Sequence, residues 1–251
     1  MSVSETARKN HDALFPNHTS VLGVTDPEIV EIFGNFAFDE VLRESRLDVR
    51  TRLIVLLGAM IGGQCLGQFR IQAGAALNVG VTPVELKEVV YQAIPYAGLG
   101  VVVDYLTATN AILTERGIAL PLPPQRTTTP EDRAEKGLAI QSQLLGAEAQ
   151  AQNVASAPAD QKHFQRFLTE HCFGEHFTRS GLDLRTRELV VFSMLVAMGG
   201  CEPQVRAHAA ANVKVGNDRA RLVDVLTVML PFVGYARVLN GLRMVNEVTS
   251  A

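Results

Sequence analysis

The amino-acid sequence predicts an all-α protein built from two tandem helical repeats related by a pseudo-two-fold axis. Three observations predict this fold class. The chain is written twice, helix-start signals recur along it, and no stretch alternates apolar and polar residues with a sustained period of two.

The internal repeat is the clearest of the three observations. "LDVRTRLIVLLGAMIGGQCLGQFRIQAGAALNVG", from Leu47, returns as "LDLRTRELVVFSMLVAMGGCEPQVRAHAAANVKVG", from Leu182. The offset is 135 residues at these leucines and 136 residues where Cys65 matches Cys201. Further on, "PYAG" at residue 95 returns as "PFVG" at residue 231. We therefore expect a first repeat over residues 1–126 and a second over 127–251.

Local signals place the helices and the connector. Asp26-Pro27 begins a helix, and Thr82-Pro83 with Glu85 forms a capping box. A proline-rich connector near residues 117–130 is stiff and extended, and Thr129-Pro130 predicts the next helix start. The apolar runs "LIVLLGAMIGG" and "ELVVFSMLVAMGG" are shorter than the roughly 20 residues of a membrane span, so they predict buried helices.

Composition narrows the function classes. The 251 residues carry a net charge of only −3 and show no basic run with interleaved aromatics, so no nucleic-acid partner is expected. The polar start "MSVSETARKNHD" lacks the apolar core of a signal peptide. The three cysteines are an odd number without framework spacing. We expect no membrane partner and a reducing compartment, the cytoplasm.

A helix from Cys201 to Val213 carries the candidate chemistry. Cys201, Gln204 and His208 stand at i, i+3 and i+7, within one sector of that helix. The helix dipole lowers the pKa of a thiol at this end unless apolar burial dominates. Glu188 begins the preceding apolar helix, either as a dipole partner or as part of a site.

These features resemble the carboxymuconolactone decarboxylase / alkylhydroperoxidase-D-like family. The resemblance is carried by "LDxRTR", the apolar helix, the cysteine-containing helix, "AALNVGVTPVELKEVV" and "PYAG", and it covers nearly the whole chain in a tandem duplicated form. It implies two AhpD-like helical repeats. For doubled members it also implies a homotrimer.

The two branches of this family differ in their cysteines. The peroxidase branch uses Glu-x11-Cys-x-x-Cys-x3-His, whereas this chain has Glu188-x12-Cys201-x-x-Gln204-x3-His208. The peroxide-attacking second cysteine is thus replaced by glutamine. The decarboxylase branch lacks the cysteine pair and keeps the histidine, which matches the second copy better. In the first copy, Leu53 and Gln72 replace the glutamate and the histidine.

The resemblance therefore implies cofactor-free decarboxylation or proton transfer on a small unsaturated lactone or keto-type carboxylic acid, in aromatic compound catabolism. The enzyme would be a carbon-carbon lyase. A thiol peroxidase with an antioxidant role, or a catalytically silent binding or scaffold homologue, is the alternative. The catalytic candidates are His208, Cys201, Glu188 and Glu175. The substrate-binding candidates are Gln204, Arg187, Arg206, Cys65 and Gln68.

Each candidate also has a structural interpretation. His208 could be a core or interface histidine, Cys201 a small apolar residue, and Glu188 a first-turn charge. Glu175 recurs as Glu40, and the two arginines recur in the first copy, which indicates structural ion pairs. The glutamines could hydrogen-bond across the two equivalent helices. The zinc-like cluster comprises His163, His171, Cys172, Glu175 and His176. Its spacing matches no metal signature, so we expect neither metal nor cofactor.

Overall fold

The computed structural model describes residues 2–16 and 20–249, and its regular elements are all helical. The first half contains α1 (Glu5–Leu14), α2 (Leu22–Thr25), α3 (Pro27–Asn35), α4 (Val41–Glu44), α5 (Val49–Gly62), α6 (Leu66–Asn78), α7 (Pro83–Ala97) and α8 (Leu99–Glu115). The second half contains α9 (Arg133–Leu145), α10 (Ala147–Ser156), α11 (Lys162–Phe167), α12 (Leu184–Met198), α13 (Glu202–Lys214), α14 (Arg219–Val233) and α15 (Tyr235–Thr249). The predicted all-α class is confirmed.

The two halves repeat one helical unit. Helices α5 to α8 correspond in order and length to α12 to α15, at the offset read from the sequence. Each unit is preceded by a π-helical segment, Phe36–Glu40 in the first half and Leu168–Phe177 in the second. The two-repeat architecture is therefore confirmed at the level of individual helices.

Helices α5 and α12 pack against each other at the centre of the molecule. A Cβ atom on Gly58 would lie 2.9 Å from the hydroxyl of Ser193, its own counterpart in the second copy. A Cβ atom on Gly62 would lie 2.2 Å from the carbonyl oxygen of Met194. The Ser193 hydroxyl donates to the carbonyl of Val55 at 2.8 Å. Glycine is thus required where the two backbones approach, and both helices are buried almost all round.

Most predicted helix starts are confirmed. Thr82 and Glu85 form the capping box, and α3 begins at Pro27. Cys201 is the N-cap of α13, with Pro203 in its first turn. The predicted start at Thr129-Pro130 is wrong, since α9 begins at Arg133.

The connector is tied to the second repeat by hydrogen bonds, which explains the late start of α9. Residues 118–129 are not helical. The hydroxyls of Thr127 and Thr128 donate to the carbonyls of Thr178 and Gly174 at 2.7 and 2.8 Å. These bonds keep the chain extended up to Thr129. The division of the chain at residue 127 stays a prediction.

No helix in the described part of the chain is both long enough and apolar enough to cross a membrane.

Candidate active site

A buried histidine–glutamate pair lies between α12 and α13. His208 is 8% exposed and Glu188 is fully buried. Nδ1 of His208 lies 2.9 Å from Oε2 of Glu188. The second carboxylate oxygen, Oε1, is buried without a hydrogen-bond partner among the described residues. A buried oxygen left unpaired costs free energy, so such a carboxylate is a candidate for function rather than stability.

Asn212 holds this pair in place from one turn further along α13. Its amide Nδ2 donates to the carbonyls of Glu188 and His208 at 3.0 and 2.8 Å. Its Oδ1 accepts from Nδ2 of Asn217 at 2.8 Å. The backbones that carry the glutamate and the histidine are therefore joined by one amide group, which fixes their separation.

The other nitrogen of the histidine faces a tyrosine from the first repeat. The hydroxyl of Tyr96, near the end of α7, lies 3.3 Å from Nε2 of His208, and the two rings meet edge to face at 5.5 Å. Burial, together with Cys172 and the charge of Glu188, raises the pKa of Tyr96 well above its usual value. The phenol therefore stays protonated and can donate a hydrogen bond at neutral pH.

Cys172 completes the surroundings of Tyr96. Its thiol is hydrogen-bonded to the tyrosine, and burial raises the pKa of Cys172 to about 12. The thiol is thus neutral at physiological pH. It belongs to the π-helical segment Leu168–Phe177, so three separate parts of the chain meet at the histidine.

The equivalent position in the first repeat has lost this chemistry. Leu53 stands for Glu188, Gln72 for His208, Phe232 for Tyr96 and Ala37 for Cys172, at the offsets of the repeat. These four residues line one small void, so the pseudo-symmetry also holds in space. Within that set only Gln72 is polar. The acid/base groups are therefore confined to the second-repeat position.

Cys201 lies in a different environment from His208. Its thiol donates to the carbonyl of Leu195 at 3.2 Å, and it lines a small void together with Arg237 and Asn240. Burial, with the nearby charge of Glu202, raises the pKa of the thiol. Desolvation therefore outweighs the helix dipole at this position. All three cysteines are free thiols.

Arg187 is engaged within the protein. Its guanidinium, fully buried, donates to Oε2 of Glu88 at 2.8 Å and to Oε1 of Gln92 at 3.0 Å, and it also reaches the carbonyls of Leu182 and Arg179. Burial lowers the pKa of this arginine. The arrangement favours a structural ion pair over an anchor for a substrate carboxylate.

Glu175 is also held away from the histidine by hydrogen bonds. Its Oε1 accepts from Arg133 at 3.0 Å and from Arg126 at 3.3 Å, linking the connector to the second repeat. Arg206 is exposed and pairs with Glu247 on α15. Neither residue forms a printed bond to the Glu188–His208 pair among the described residues.

The remaining candidates lie near the starts of α6 and α13. Gln204 and Gln68 are exposed, so no bond between the two equivalent glutamines is formed within the described chain. The thiol of Cys65 donates to the carbonyl of Gly63 at 3.3 Å. Of the nine candidate residues, the structure brings only Glu188 and His208 into direct contact.

No group of three or more histidine, cysteine, aspartate or glutamate side chains in the described ranges has an arrangement that could hold a metal ion. In the zinc-like cluster, the rings of His171 and His176 meet at 4.9 Å. Burial lowers the pKa of His176 to about 4.

Tyr96 and Asn212 were missed by the sequence analysis. The comparison of "PYAG" with "PFVG" already shows that a hydroxyl is present in only one copy. The repeat alignment likewise sets Asn212 against Ala76. What the sequence did not reveal is that Tyr96, from the first repeat, faces the histidine of the second.

Comparisons with known proteins agree with the repeat. The model of the carboxymuconolactone decarboxylase family matches the chain twice, over residues 27–111 and 162–247. A 4-carboxymuconolactone decarboxylase of Acinetobacter baylyi is 26% identical over 118 residues, which are 47% of this chain and 87% of that protein. One copy of the relative thus corresponds to about one repeat. The chain belongs to the carboxymuconolactone decarboxylase family, in a tandem duplicated form.

Proposed function

We propose that the protein catalyses a cofactor-free decarboxylation, or a closely related proton transfer, on a small unsaturated lactone or keto-type carboxylic acid. It would then be a carbon-carbon lyase with one active site in each chain. The observation that carries the proposal is the buried Glu188–His208 pair, whose second imidazole nitrogen faces Tyr96. The name of the bacterial relative supports a carboxylated lactone as the substrate class.

His208 serves as the proton donor in this proposal. With Glu188 ionised, Nδ1 of the imidazole donates to the carboxylate, which leaves Nε2 to exchange a proton with the substrate. The carboxylate stabilises the imidazolium and fixes the ring orientation, as the acidic member of a catalytic triad does. A histidine suits the task because its unperturbed pKa lies near neutrality.

The substrate supplies its own electron sink. The bond between the ring carbon and the carboxylate breaks, carbon dioxide leaves, and the electron pair moves into the unsaturated system as an enolate. Nε2–H of His208 then gives its proton to carbon, and solvent restores the imidazolium. One carboxylate and one proton are thus converted into carbon dioxide and the protonated product.

Two groups are placed to stabilise the enolate oxygen. The protonated hydroxyl of Tyr96 lies beside Nε2 of His208, inside the half-buried part of the site. Gln204, one turn before the histidine on α13, is exposed and can reach a substrate that lies over the helix. Hydrogen-bond donors aimed at a developing oxyanion contribute strongly to catalysis. Cys201 is a wall residue in this scheme, because its thiol is occupied by the Leu195 carbonyl.

The catalytic assignment is tested with 4-carboxymuconolactone by following carbon dioxide release. His208→Gln gives the second copy the residue of the first and should lower turnover by about 10²-fold or more, the usual scale for an acid/base residue. His163→Gln, at an exposed histidine of the same repeat, is the matched control and should keep wild-type turnover. Full activity of His208→Gln on a substrate that the wild type decarboxylates would show that the proposed roles are wrong.

The proposal includes a homotrimer, with six repeat units in the assembly. Large apolar side chains remain exposed on both repeats of the single chain and would be covered by neighbouring subunits. Among the most exposed are Val21, Val24, Ile32, Phe164 and Tyr235.

A further inference from the structure

The first repeat contains a large cavity over the position that corresponds to His208. The cavity has a volume of about 670 Å³ and lies between α1, α3 and α6. This volume falls within the range of sites that bind small molecules. Its walls are mainly apolar and include Val30, Phe33, Phe38, Ile71 and Phe232.

One buried polar group on these walls lacks a partner. Gln72 is 3% exposed, and its Oε1 accepts no hydrogen bond within the described chain. A buried carbonyl oxygen without a donor costs free energy, and a ligand that donates to it would remove that cost. The remaining polar residues on the walls are Arg8, His11, Ser20 and Gln68.

The residues around Gln72 favour binding over reaction. The carboxylate, the imidazole and the phenol of the second-repeat site are all missing here, since Leu53, Gln72 and Phe232 occupy their positions. No acid/base pair therefore acts on a molecule in this cavity. The duplicated chain thus has an equivalent position that can hold a ligand without transforming it.

We propose that the first repeat binds a small, largely apolar molecule that donates one hydrogen bond, through a hydroxyl or an N–H group, to Oε1 of Gln72. This ligand site is separate from the decarboxylase site, and the inference does not depend on the proposed function.

The test uses two probes of similar shape, 2-naphthol and 2-methylnaphthalene, which differ in a hydroxyl against a methyl group. Binding to the full-length protein is measured by calorimetry. Gln72→Met, which keeps the side-chain length and removes the amide, should weaken 2-naphthol by about tenfold, the effect of losing one hydrogen bond. The affinity for 2-methylnaphthalene should be unchanged or should increase.

A second variant tests the location. Gly34 lies on the cavity wall, and a Cβ atom there would meet only the side chain of Val3, at 3.7 Å, so Gly34→Leu fills space without displacing backbone. It should abolish binding of both probes. Gly100→Leu, on an exposed face of α8 with no atom within 4 Å, is the matched control and should bind both. His208→Gln should also bind both, which separates this site from the catalytic one.

Several results would overturn the inference. Equal weakening of both probes by Gln72→Met would remove the role of the amide. Undiminished binding in Gly34→Leu, or loss of binding in His208→Gln, would place the ligand elsewhere. If the wild type bound neither probe and Gly34→Leu lowered the mass seen by light scattering, the cavity would be a contact between subunits instead.

Discussion

At the scale of single residues, the second repeat differs from the first by a few substitutions that change its chemistry. Glu188 and His208 form a buried ionisable pair where the first repeat has leucine and glutamine. The tyrosine that faces the pair has a phenylalanine counterpart, Phe232. Because the surrounding helices are alike, the acid/base chemistry is added by side chains alone.

The thiols lead to a prediction about redox activity. Burial raises the pKa of both Cys172 and Cys201, so little thiolate is present at pH 7 and its fraction grows only as the pH rises. We expect an organic hydroperoxide, supplied with a dithiol reductant at pH 7, to be consumed at close to the uncatalysed rate. Cys201→Ser should change nothing. Rapid turnover that this substitution abolished would instead favour the peroxidase alternative.

At the scale of the elements, the first turns of the helices were predictable from local signals. The capping box at Thr82 and the N-cap at Cys201 depend on residues within one turn, so the sequence alone is sufficient. The start of α9 was not predictable in this way. The preceding residues bond to the π-helical segment Leu168–Phe177, a tertiary contact that overrides the Thr129-Pro130 signal.

The arginine at the start of α12 leads to a prediction about stability. Arg187 is fully buried against Glu88, and breaking a buried ion pair leaves a charge without its partner. We expect Arg187→Met to lower the free energy of unfolding by about 3 kcal/mol. Arg206→Met removes an exposed pair and should cost less than about 1 kcal/mol. Urea denaturation checks both variants, and equal losses would contradict the structural role of Arg187.

At the scale of the whole molecule, the repeat predicts the fold but not the composition of the site. Glu188 and His208 were found because they lie on consecutive helices of one repeat. Tyr96 was missed because the two repeats exchange residues, so the last turn of α7 faces α13. Arg187 and Glu175 were named as candidates by residue type, and only the structure places their partners.

The exposed apolar side chains lead to a prediction about assembly. If neighbouring subunits cover them, light scattering at micromolar concentration should give three times the 27.2 kDa of one chain. A mass equal to that of a single chain would contradict the trimer and leave this apolar surface without its proposed cover.

The central claim is that Glu188 and His208 act as one acid/base unit, and a double-mutant cycle on turnover tests it most directly. Turnover of the wild type, Glu188→Gln, His208→Gln and the double variant is compared after thermal unfolding shows that each is folded. Residues that act as a unit show strongly non-additive losses. The account predicts that the double variant loses no more than about threefold beyond His208→Gln alone. Losses that simply multiply would show that the two residues act independently and would contradict the claim.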